Sequence, residues 1–404
     1  MYCEYSIRKE TDNTSLIKNI LNHHSYNRKN GINLIVSENR MSAKAQKVLG
    51  DDIHLRYAAD FYAGNERIND LIDIATASCQ KLFDANYVNL SPISGNMCVF
   101  SIALALTDPW DKIARIRPFF PGGGFPFTYE LIDRNAIDLP FSDEDWCIDT
   151  DAAIQFLKKE KPPLVVLAPS IFVFPLPVRE IAETVHNYGG YVVYDASHPL
   201  GLIAGGEFQN PLEEGADLVY ASTHKTFPGP QGGIIFTNNQ QIDRKISNYV
   251  NFRPLEGVTL VCNPHLARLA SITIVVEETN WSEYAKQVIA NARAIANTLK
   301  NNGIPLQGEN NPLFSELTYC HQILPRFEEK ESKRLRNKLY EHKILTDGFL
   351  RMGTAEVTRL GYKETNCLRL GQIISTIVTG RKYNINAIKE EINMLIKDHR
   401  EIVL

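Results

Sequence analysis

Short apolar runs rich in β-branched residues alternate with helical patterns over residues 33–265, and this alternation restricts the fold more than any other feature of the sequence. The clearest unit begins with a strand pattern at 162–170, continues through a helical segment and ends in a second strand pattern at 191–197. Two further strand patterns follow at 216–222 and 232–238. Strands that alternate with crossover helices predict an α/β fold with a mostly parallel sheet.

The two ends of the chain differ from this central region. Residues 1–32 are polar and helical in pattern, with Ser15 as the candidate N-cap, and predict an arm that packs on a partner subunit. After residue 265, longer helices such as 282–303 accompany only a few strands. We therefore expect an N-terminal helical arm, a large domain at 33–265 and a smaller α+β domain at 266–404, with a ligand cleft between the two domains.

Composition and charge exclude several classes of function. The chain has 404 residues and a formal net charge of -4, which gives no electrostatic reason to expect nucleic acid as a partner. Its seven cysteines are scattered and never closely spaced, which predicts reduced thiols, a cytoplasmic location and no metal site. Apolar runs such as 98–106 are about half as long as the roughly 20 residues of a membrane helix, so we expect no membrane span.

The segment ASTHKTFPGPQGG at 221–233 contains the strongest candidate for a catalytic residue, Lys225. It follows a strand pattern, and open α/β sheets bind ligands at the carboxyl ends of their strands. A lysine with a depressed pKa can attack an aldehyde and form a Schiff base. A lone lysine would be a solvated surface charge, but His224 and the five Pro and Gly residues around Lys225 favour the Schiff-base role.

A second strand end, YDASHP at 194–199, carries Asp195 and His198. An aspartate there can pair with the protonated pyridine nitrogen of pyridoxal 5'-phosphate (PLP) and so keep the cofactor an electron sink. His198 could lie against the phenolic oxygen of the cofactor or against the substrate, and a structural histidine is the alternative. The presence of Asp195 about thirty residues before Lys225 favours the PLP interpretation.

A phosphate site is predicted where Ser94, Gly95 and Asn96 open the apolar helical run at 91–106. Backbone N–H groups at a helix start, a glycine and small hydrogen-bonding side chains suit a bound phosphate. Ser94 alone would be read as an ordinary helix cap. Together with the lysine and the aspartate, phosphate binding becomes the better interpretation.

These motifs, in the order in which they follow along the chain, resemble those of the serine hydroxymethyltransferase family from about residue 30 to 375. Four further segments carry the resemblance: LIVSEN (34–39), RY with FYAGNE (56–66), DASHPLGLIAGG (195–206) and LRMGTAEVTRLG (350–361). The resemblance implies a fold-type I PLP-dependent transferase with a mostly parallel sheet in the large domain and a smaller α+β C-terminal domain. It also implies a homodimer with shared active sites and a small-molecule amino-acid substrate.

The resemblance assigns the expected catalytic residues position by position. Lys225 matches the lysine that holds PLP as an imine, and Asp195 matches the partner of the pyridine nitrogen. His198 matches the histidine near the cofactor oxygen and the substrate, and His224 matches the histidine just before the lysine. Tyr62 matches a tyrosine near the substrate and completes this set.

The other matching positions are expected to bind the cofactor and the substrate. The cofactor site is completed by Ser94, Gly95, Asn96, Phe125, Ser222 and Tyr57. The family's pattern supplies Tyr57 from the neighbouring subunit and stacks a histidine on the pyridine ring where Phe125 stands here, and an aromatic face can still stack. Ser37 and Arg351 match the residues that hold the substrate carboxylate, a task that suits the guanidinium fork.

Several departures from the family's pattern concern the reaction with folate. The family has a glutamate that handles protons in that reaction, and the position is Ala59 here, followed by the shorter Asp60. Segment 344–354 has no room for the extended loop that borders the family's folate pocket. Gln231 replaces an arginine, and the Gly-Gly phosphate loop expected near 257–263 is not recognisable.

The expected function is therefore reversible Cα–Cβ cleavage or formation of a β-hydroxy-α-amino acid, of aldolase or transaldolase type and independent of folate, with an aldehyde as the candidate second substrate. The alternatives that keep PLP and an amino acid are a racemase, a transaminase or a decarboxylase. A folate-dependent serine hydroxymethyltransferase is a further alternative. A protein that binds PLP without turnover is the alternative from another class, although binding alone has no need of Arg351.

Overall fold

A seven-stranded sheet and the helices on its two faces make up most of the computed structural model, which describes residues 12–58, 62–118, 129–168, 170–251, 259–381 and 384–403. The strands are β1 (Ile32–Asn33), β2 (Tyr87–Asn89), β3 (Lys112–Arg115), β4 (Asn135–Asp138), β5 (Phe141–Ser142), β6 (Cys147–Ile148), β7 (Leu164–Leu167), β8 (Tyr191–Asp195), β9 (Leu218–Ser222), β10 (Gly233–Thr237), β11 (Gln322–Ile323), β12 (Ile344–Leu345) and β13 (Met352–Gly353). The helices are α1 (Asn13–Lys29), α2 (Ala43–Val48), α3 (Ile68–Phe83), α4 (Gly95–Leu106), α5 (Thr150–Glu160), α6 (Val178–His186), α7 (Leu200–Ala204), α8 (Gln240–Val250), α9 (Leu266–Glu278), α10 (Trp281–Asn301), α11 (Glu329–Glu341), α12 (Ala355–Arg359), α13 (Glu364–Thr379) and α14 (Ile385–Asp398).

The strand order of the large sheet is β2-β10-β9-β8-β7-β3-β4. Neighbouring strands from β9 to β4 are parallel, and β10 is antiparallel to both of its neighbours. The unit β7–α6–β8 forms the crossover predicted at 162–197. Its two strands are parallel neighbours, so the helix between them must carry the chain back to the end of the sheet at which the first strand began. The predicted α/β class with a mostly parallel sheet is therefore confirmed.

Both faces of this sheet are covered. Along β7 and β8, Val165 and Val192 lie in one hydrophobic core, while the next residues, Val166 and Val193, lie in the core on the opposite face. Side chains alternate between the two faces of a strand, so a strand covered on both sides must be apolar at every position. This explains why the sequence shows continuous apolar runs here rather than an alternation of apolar and polar residues.

A second large core lies in the C-terminal part of the chain, and helix α10 takes part in both cores. Tyr284 and Val288 in its first half pack in the core of the large sheet, whereas Ile295 and Leu299 pack with α11, α13 and α14. Ile32, in β1, also belongs to this second core, and β1 pairs with β12. The domain bounds given above stay a prediction.

Helix α1 lies within the segment for which an arm is predicted, and none of its residues is buried. The N-cap is Asp12, whose carboxylate accepts hydrogen bonds from the backbone of Thr14 and Ser15. The prediction of Ser15 as the cap was therefore wrong, because Asp12 supplies a carboxylate three residues earlier. Within the described ranges, every helix is too short or too polar to cross a bilayer.

Candidate active site

The predicted lysine and aspartate follow two adjacent parallel strands, so they lie at the same edge of the sheet. Asp195 is the last residue of β8, and Lys225 comes three residues after the end of β9. Two hydrogen bonds tie the strand ends together. Asp195 Oδ1 accepts from the Ser197 amide (2.7 Å), and Ser197 Oγ accepts from the Ser222 amide (2.9 Å).

The backbone of the lysine turn is held from two directions. The side-chain amide of Asn39 donates to the carbonyl oxygen of Lys225 (2.7 Å), and the hydroxyl of Tyr284 donates to the carbonyl oxygen of Thr226 (2.8 Å). Tyr284 is fully buried on α10, and its hydroxyl also accepts from Asn39 (2.9 Å). The turn therefore has a fixed backbone from which the Lys225 side chain extends.

Three effects set the charge of Lys225. Burial lowers the pKa of its ammonium to about 8, the charge of Asp195 opposes this shift, and the charge of Arg351 adds to it. At pH 7, about a tenth of such amines are neutral, far more than for a solvated lysine. A neutral amine is the form that attacks an aldehyde, so the site provides the reactivity that a Schiff-base lysine needs.

Asp195 has the opposite perturbation. Burial raises the pKa of its carboxyl group, while the charge of Lys225 and the hydrogen bond from the Ser197 backbone amide lower it. A carboxylate in such surroundings is stabilised by a cationic partner, because the partner offsets the cost of desolvation. A protonated ring nitrogen is such a partner.

His198 is paired with a second histidine that the motifs do not include. Its Nδ1 lies 3.3 Å from Nε2 of His321, and the two rings are stacked with centroids 5.5 Å apart. Burial is the main reason that the pKa of His198 lies well below its ordinary value and that of His321 falls to about 3. Both imidazoles are therefore neutral at pH 7, and each offers one donor and one acceptor.

His224 is half-buried beside Lys225. Burial and the charge of Lys225 lower the pKa of its imidazole to about 4, while Glu38 opposes the shift. In the part of the chain that the structure describes, Nδ1 of His224 has no hydrogen-bond partner. A neutral ring with an unpaired nitrogen can take up a hydrogen bond from a bound molecule.

The predicted phosphate segment forms the start of α4, next to the end of β9. Ser94 is the N-cap, and its Oγ accepts from the Met97 amide (3.2 Å). A Cβ at Gly95 would lie 2.6 Å from Oγ of Ser222, so a larger residue would displace the Ser222 hydroxyl. Asn96 is exposed. The start of α4 and the hydroxyl of Ser222 therefore lie close together, and backbone N–H groups at a helix start beside a hydroxyl could hold the phosphate of PLP.

Arg351 lies between the end of β12 and β13, close enough to Lys225 for its charge to lower the lysine pKa. Its Nε donates to the carboxylate of Asp347, and one terminal nitrogen donates to the carbonyl oxygen of Ser170 (3.1 Å). Ser37 is half-buried, and its segment packs on this region. The backbone of its neighbour Val36 lies so close to Gly353 that a Cβ on that glycine would be 2.8 Å from Cα of Val36.

The remaining predicted positions are exposed or lie outside the described residues. The Tyr57 and Tyr62 rings contact each other with centroids 5.2 Å apart and are 44% and 37% exposed. Gln231 is exposed as well. Phe125, Ala59, Asp60 and part of segment 257–263 lie outside the described residues.

Sequence reasoning missed several residues that contact this site. Asn39 belongs to the segment LIVSEN, and its place among the family's motifs was the available signal. Tyr284, His321 and Asp347 reach the site from elements beyond residue 265, and no local pattern distinguishes them from ordinary core or loop residues. No group of His, Cys, Asp or Glu among the described residues could hold a metal ion.

Comparisons with known proteins identify the family of the chain. The family model described as serine hydroxymethyltransferase matches residues 9–374. A serine hydroxymethyltransferase from Staphylothermus marinus is 34% identical over 90% of this chain and 86% of its own, and one from Pyrobaculum islandicum is 33% identical over 95% and 92%.

Among solved structures, the crystal structure of L-threonine transaldolase from Pseudomonas fluorescens in the internal aldimine state has a TM-score of 0.84 and 22% identity, and covers 95% of this chain and 91% of its own. This likeness shows the fold-type I architecture. The protein is therefore a PLP-dependent enzyme of the transferase type, and its chain belongs to the serine hydroxymethyltransferase family.

Proposed function

We propose that the enzyme reversibly cleaves the Cα–Cβ bond of a β-hydroxy-α-amino acid and releases glycine and an aldehyde without folate. The single observation that carries this proposal is the convergence of Asp195 and Arg351 on Lys225: the charges of both residues act on the pKa of its ammonium group. These groups suit an amine site, a ring-nitrogen site and a carboxylate site for one amino acid. An amino acid held in this way presents its Cα to the cofactor.

Each of these groups has a separate task. PLP, when bound, supplies an electron sink for whichever bond is broken at Cα. Lys225, with a pKa of about 8, can give and accept a proton at Nζ near neutral pH. Asp195 stabilises positive charge on the ring nitrogen, and Arg351 holds the substrate carboxylate and so orients the bonds at Cα.

The two buried histidines and His224 complete the polar surroundings. His198 is neutral and fixed by His321, so it can hydrogen-bond the phenolic oxygen of the cofactor without adding charge. His224 is neutral as well, and its unpaired Nδ1 is our candidate to accept the proton of the substrate hydroxyl. Removal of that proton is required when a Cα–Cβ bond breaks to release an aldehyde.

The short connection before Arg351 supports independence of folate. Only Thr346–Leu350 separate β12 from Arg351, and Asp347 folds this segment tightly against the arginine. The family's longer loop at this position borders its folate pocket. A transaldolase with the same fold also supports transfer between aldehydes.

We also propose a homodimer in which the two subunits share their active sites. Tyr57, the predicted phosphate ligand from the neighbouring subunit, is exposed in the single chain, as are the apolar residues of α1, among them Ile17, Ile20 and Leu21. Apolar residues on an exposed helix are stabilised when a partner covers them. A partner subunit would bring its own Tyr57 to the cofactor phosphate.

A folate-dependent serine hydroxymethyltransferase is the second candidate, and the names of the relatives that are 33–34% identical favour it. Product analysis separates the two. The holoenzyme is incubated with threonine, serine or glycine, with or without an added aldehyde and with or without tetrahydrofolate, and the products are identified by mass spectrometry.

The proposal predicts glycine and acetaldehyde from threonine, and a new β-hydroxy-α-amino acid when a second aldehyde is present, at rates that tetrahydrofolate does not change. Formation of glycine from serine only in the presence of tetrahydrofolate would contradict it. Release of carbon dioxide, a keto acid or the enantiomer would indicate one of the other PLP reactions.

A further inference from the structure

The guanidinium of Arg351 has two of its donor positions engaged within the protein. Nε is paired with the carboxylate of Asp347, and one terminal nitrogen donates to the carbonyl oxygen of Ser170. The side chains of Arg351 and Asp347 are each only 17% exposed, so water competes weakly for this ion pair. Among the residues that the structure describes, the donors of Arg351 without a partner therefore lie on its two terminal nitrogens, at the end of the fork.

This arrangement decides how the fork can hold a carboxylate. A carboxylate can approach an arginine side-on, across Nε and one terminal nitrogen, or end-on, across the two terminal nitrogens. Asp347 occupies Nε, so a bound carboxylate must approach end-on. The direction of approach fixes where the rest of the bound molecule lies relative to Lys225.

Asp347 also builds the turn that presents Arg351. Its Oδ1 accepts from the amides of Phe349 (3.0 Å) and Arg351 (2.9 Å), while the other oxygen accepts from Arg351 Nε. Between them, Leu350 has a φ of 61°, a left-handed conformation that is costly for a branched side chain. The hydrogen bonds from the two backbone amides stabilise this conformation, so the carboxylate of Asp347 fixes both the backbone and the guanidinium of Arg351.

We propose that Asp347 is a positioning residue: it holds Arg351 for end-on binding of the substrate carboxylate and thereby sets the preference of the site for α-amino acids over amines without a carboxylate. The proposal rests on the proposed role of Arg351. Asp347 touches neither substrate nor cofactor in it and acts only through the arginine.

Asp347→Asn is the most informative variant. The amide oxygen of asparagine can still accept from the two backbone amides, so the turn is kept, whereas its NH₂ group cannot accept from Nε of Arg351. Asp347→Ala loses both functions. The exposed Asp73→Asn is a matched control that changes the net charge by the same amount far from this turn.

The experiment measures dissociation constants of glycine and of glycinamide for each holoenzyme by calorimetry, with the thermal midpoint as a separate readout of folding. We expect Asp347→Asn to weaken glycine binding roughly tenfold, as for the loss of a charge-assisted hydrogen bond, to leave glycinamide binding unchanged, and to lower the midpoint less than Asp347→Ala does. Asp347→Ala should combine the same weakening with the larger drop in midpoint, and Asp73→Asn should change none of these values.

Arg351→Ala separates failure of this inference from failure of the proposed function. If Arg351→Ala removes the preference for glycine over glycinamide and Asp347→Asn does not weaken it, the role of Asp347 is disproved and that of Arg351 stands. Tighter glycine binding in Asp347→Asn would also overturn the proposal, because the aspartate would then act only as a competing anion. If Arg351→Ala keeps the full preference, the carboxylate role of Arg351 itself is wrong.

Discussion

The reactivity of Lys225 depends on a balance between burial and two charges. Burial alone disfavours its ammonium form, Asp195 stabilises that form, and Arg351 destabilises it further. The result, a pKa of about 8, leaves enough neutral amine for attack on an aldehyde and still allows Nζ to act as a proton donor near pH 7. Neither neighbour could be changed without moving this balance.

This balance gives a prediction for pH dependence. The rate of covalent PLP uptake by the apoenzyme should rise with pH through a midpoint near 8, since only the neutral amine reacts. Arg351→Gln removes a charge that lowers the pKa of Lys225, so its midpoint should lie higher. Asp195→Asn removes a charge that raises the pKa, so its midpoint should lie lower.

Uptake is followed by quenching samples with borohydride at intervals and measuring the intact mass of the protein by mass spectrometry. The comparison among variants matters most, because the ionisations of free PLP are common to all of them. Equal midpoints in the three proteins, or shifts in the opposite directions, would contradict the charge balance described for Lys225.

The elements around the site differ in how much of their role the sequence could predict. Asp195 and Lys225 could be predicted, because each stands in a recognisable motif at the end of a strand, β8 or β9. The parallel topology then places both strand ends at one edge of the sheet. His321 and Asp347 could not be predicted. Each comes from a loop of the C-terminal region, and its contact with the site depends on packing between segments distant in sequence.

The contact between Asn39 and the turn that bears Lys225 predicts how the loss of the Asn39 side chain affects stability and PLP binding. Asn39→Ala leaves the carbonyl oxygen of Lys225 without its donor, at a cost of about 1–3 kcal/mol in the free energy of unfolding. We expect a lower thermal midpoint and faster loss of PLP on dialysis, because the turn that bears the lysine is less firmly held.

Thermal scans and the remaining PLP content after dialysis measure these two effects. Asn386→Ala, at an exposed position of α14, is the control and should leave both unchanged. The same rate of PLP loss in Asn39→Ala and in the unaltered protein would mean that Asn39 does not support the lysine turn.

The whole molecule joins two hydrophobic cores through α10, and the site residues come from both sides of this junction. Asp195 ends a strand of the large sheet and Lys225 lies in the turn after the next strand, whereas Arg351 belongs to the connection between β12 and β13. Tyr57 is the exception, since the single chain leaves it exposed. The position of Tyr57 is understandable if a second subunit completes the site.

Shared sites predict complementation between two inactive variants. Lys225→Ala lacks the reactive amine, and Tyr57→Ala lacks the phosphate ligand that we expect the neighbouring subunit to supply. Refolded as an equal mixture, random pairing puts one intact site in each mixed dimer, which should restore about a quarter of the unaltered activity.

The mixture is assayed beside each variant refolded alone, and sedimentation confirms that all three samples are dimers. Activity no greater than the mean of the two separate variants would show that Lys225 and Tyr57 do not meet across a subunit boundary. A monomer at assay concentrations would exclude shared sites altogether.

The most direct measurement for the central claim is to find where PLP is attached. The holoenzyme is reduced with borohydride, digested and mapped by mass spectrometry, with Lys225→Ala treated in parallel. We predict a single pyridoxyl group on the peptide that contains Lys225, and none on the variant. A pyridoxyl group on another lysine of the unaltered protein, or the absence of any adduct, would contradict the assignment of the site.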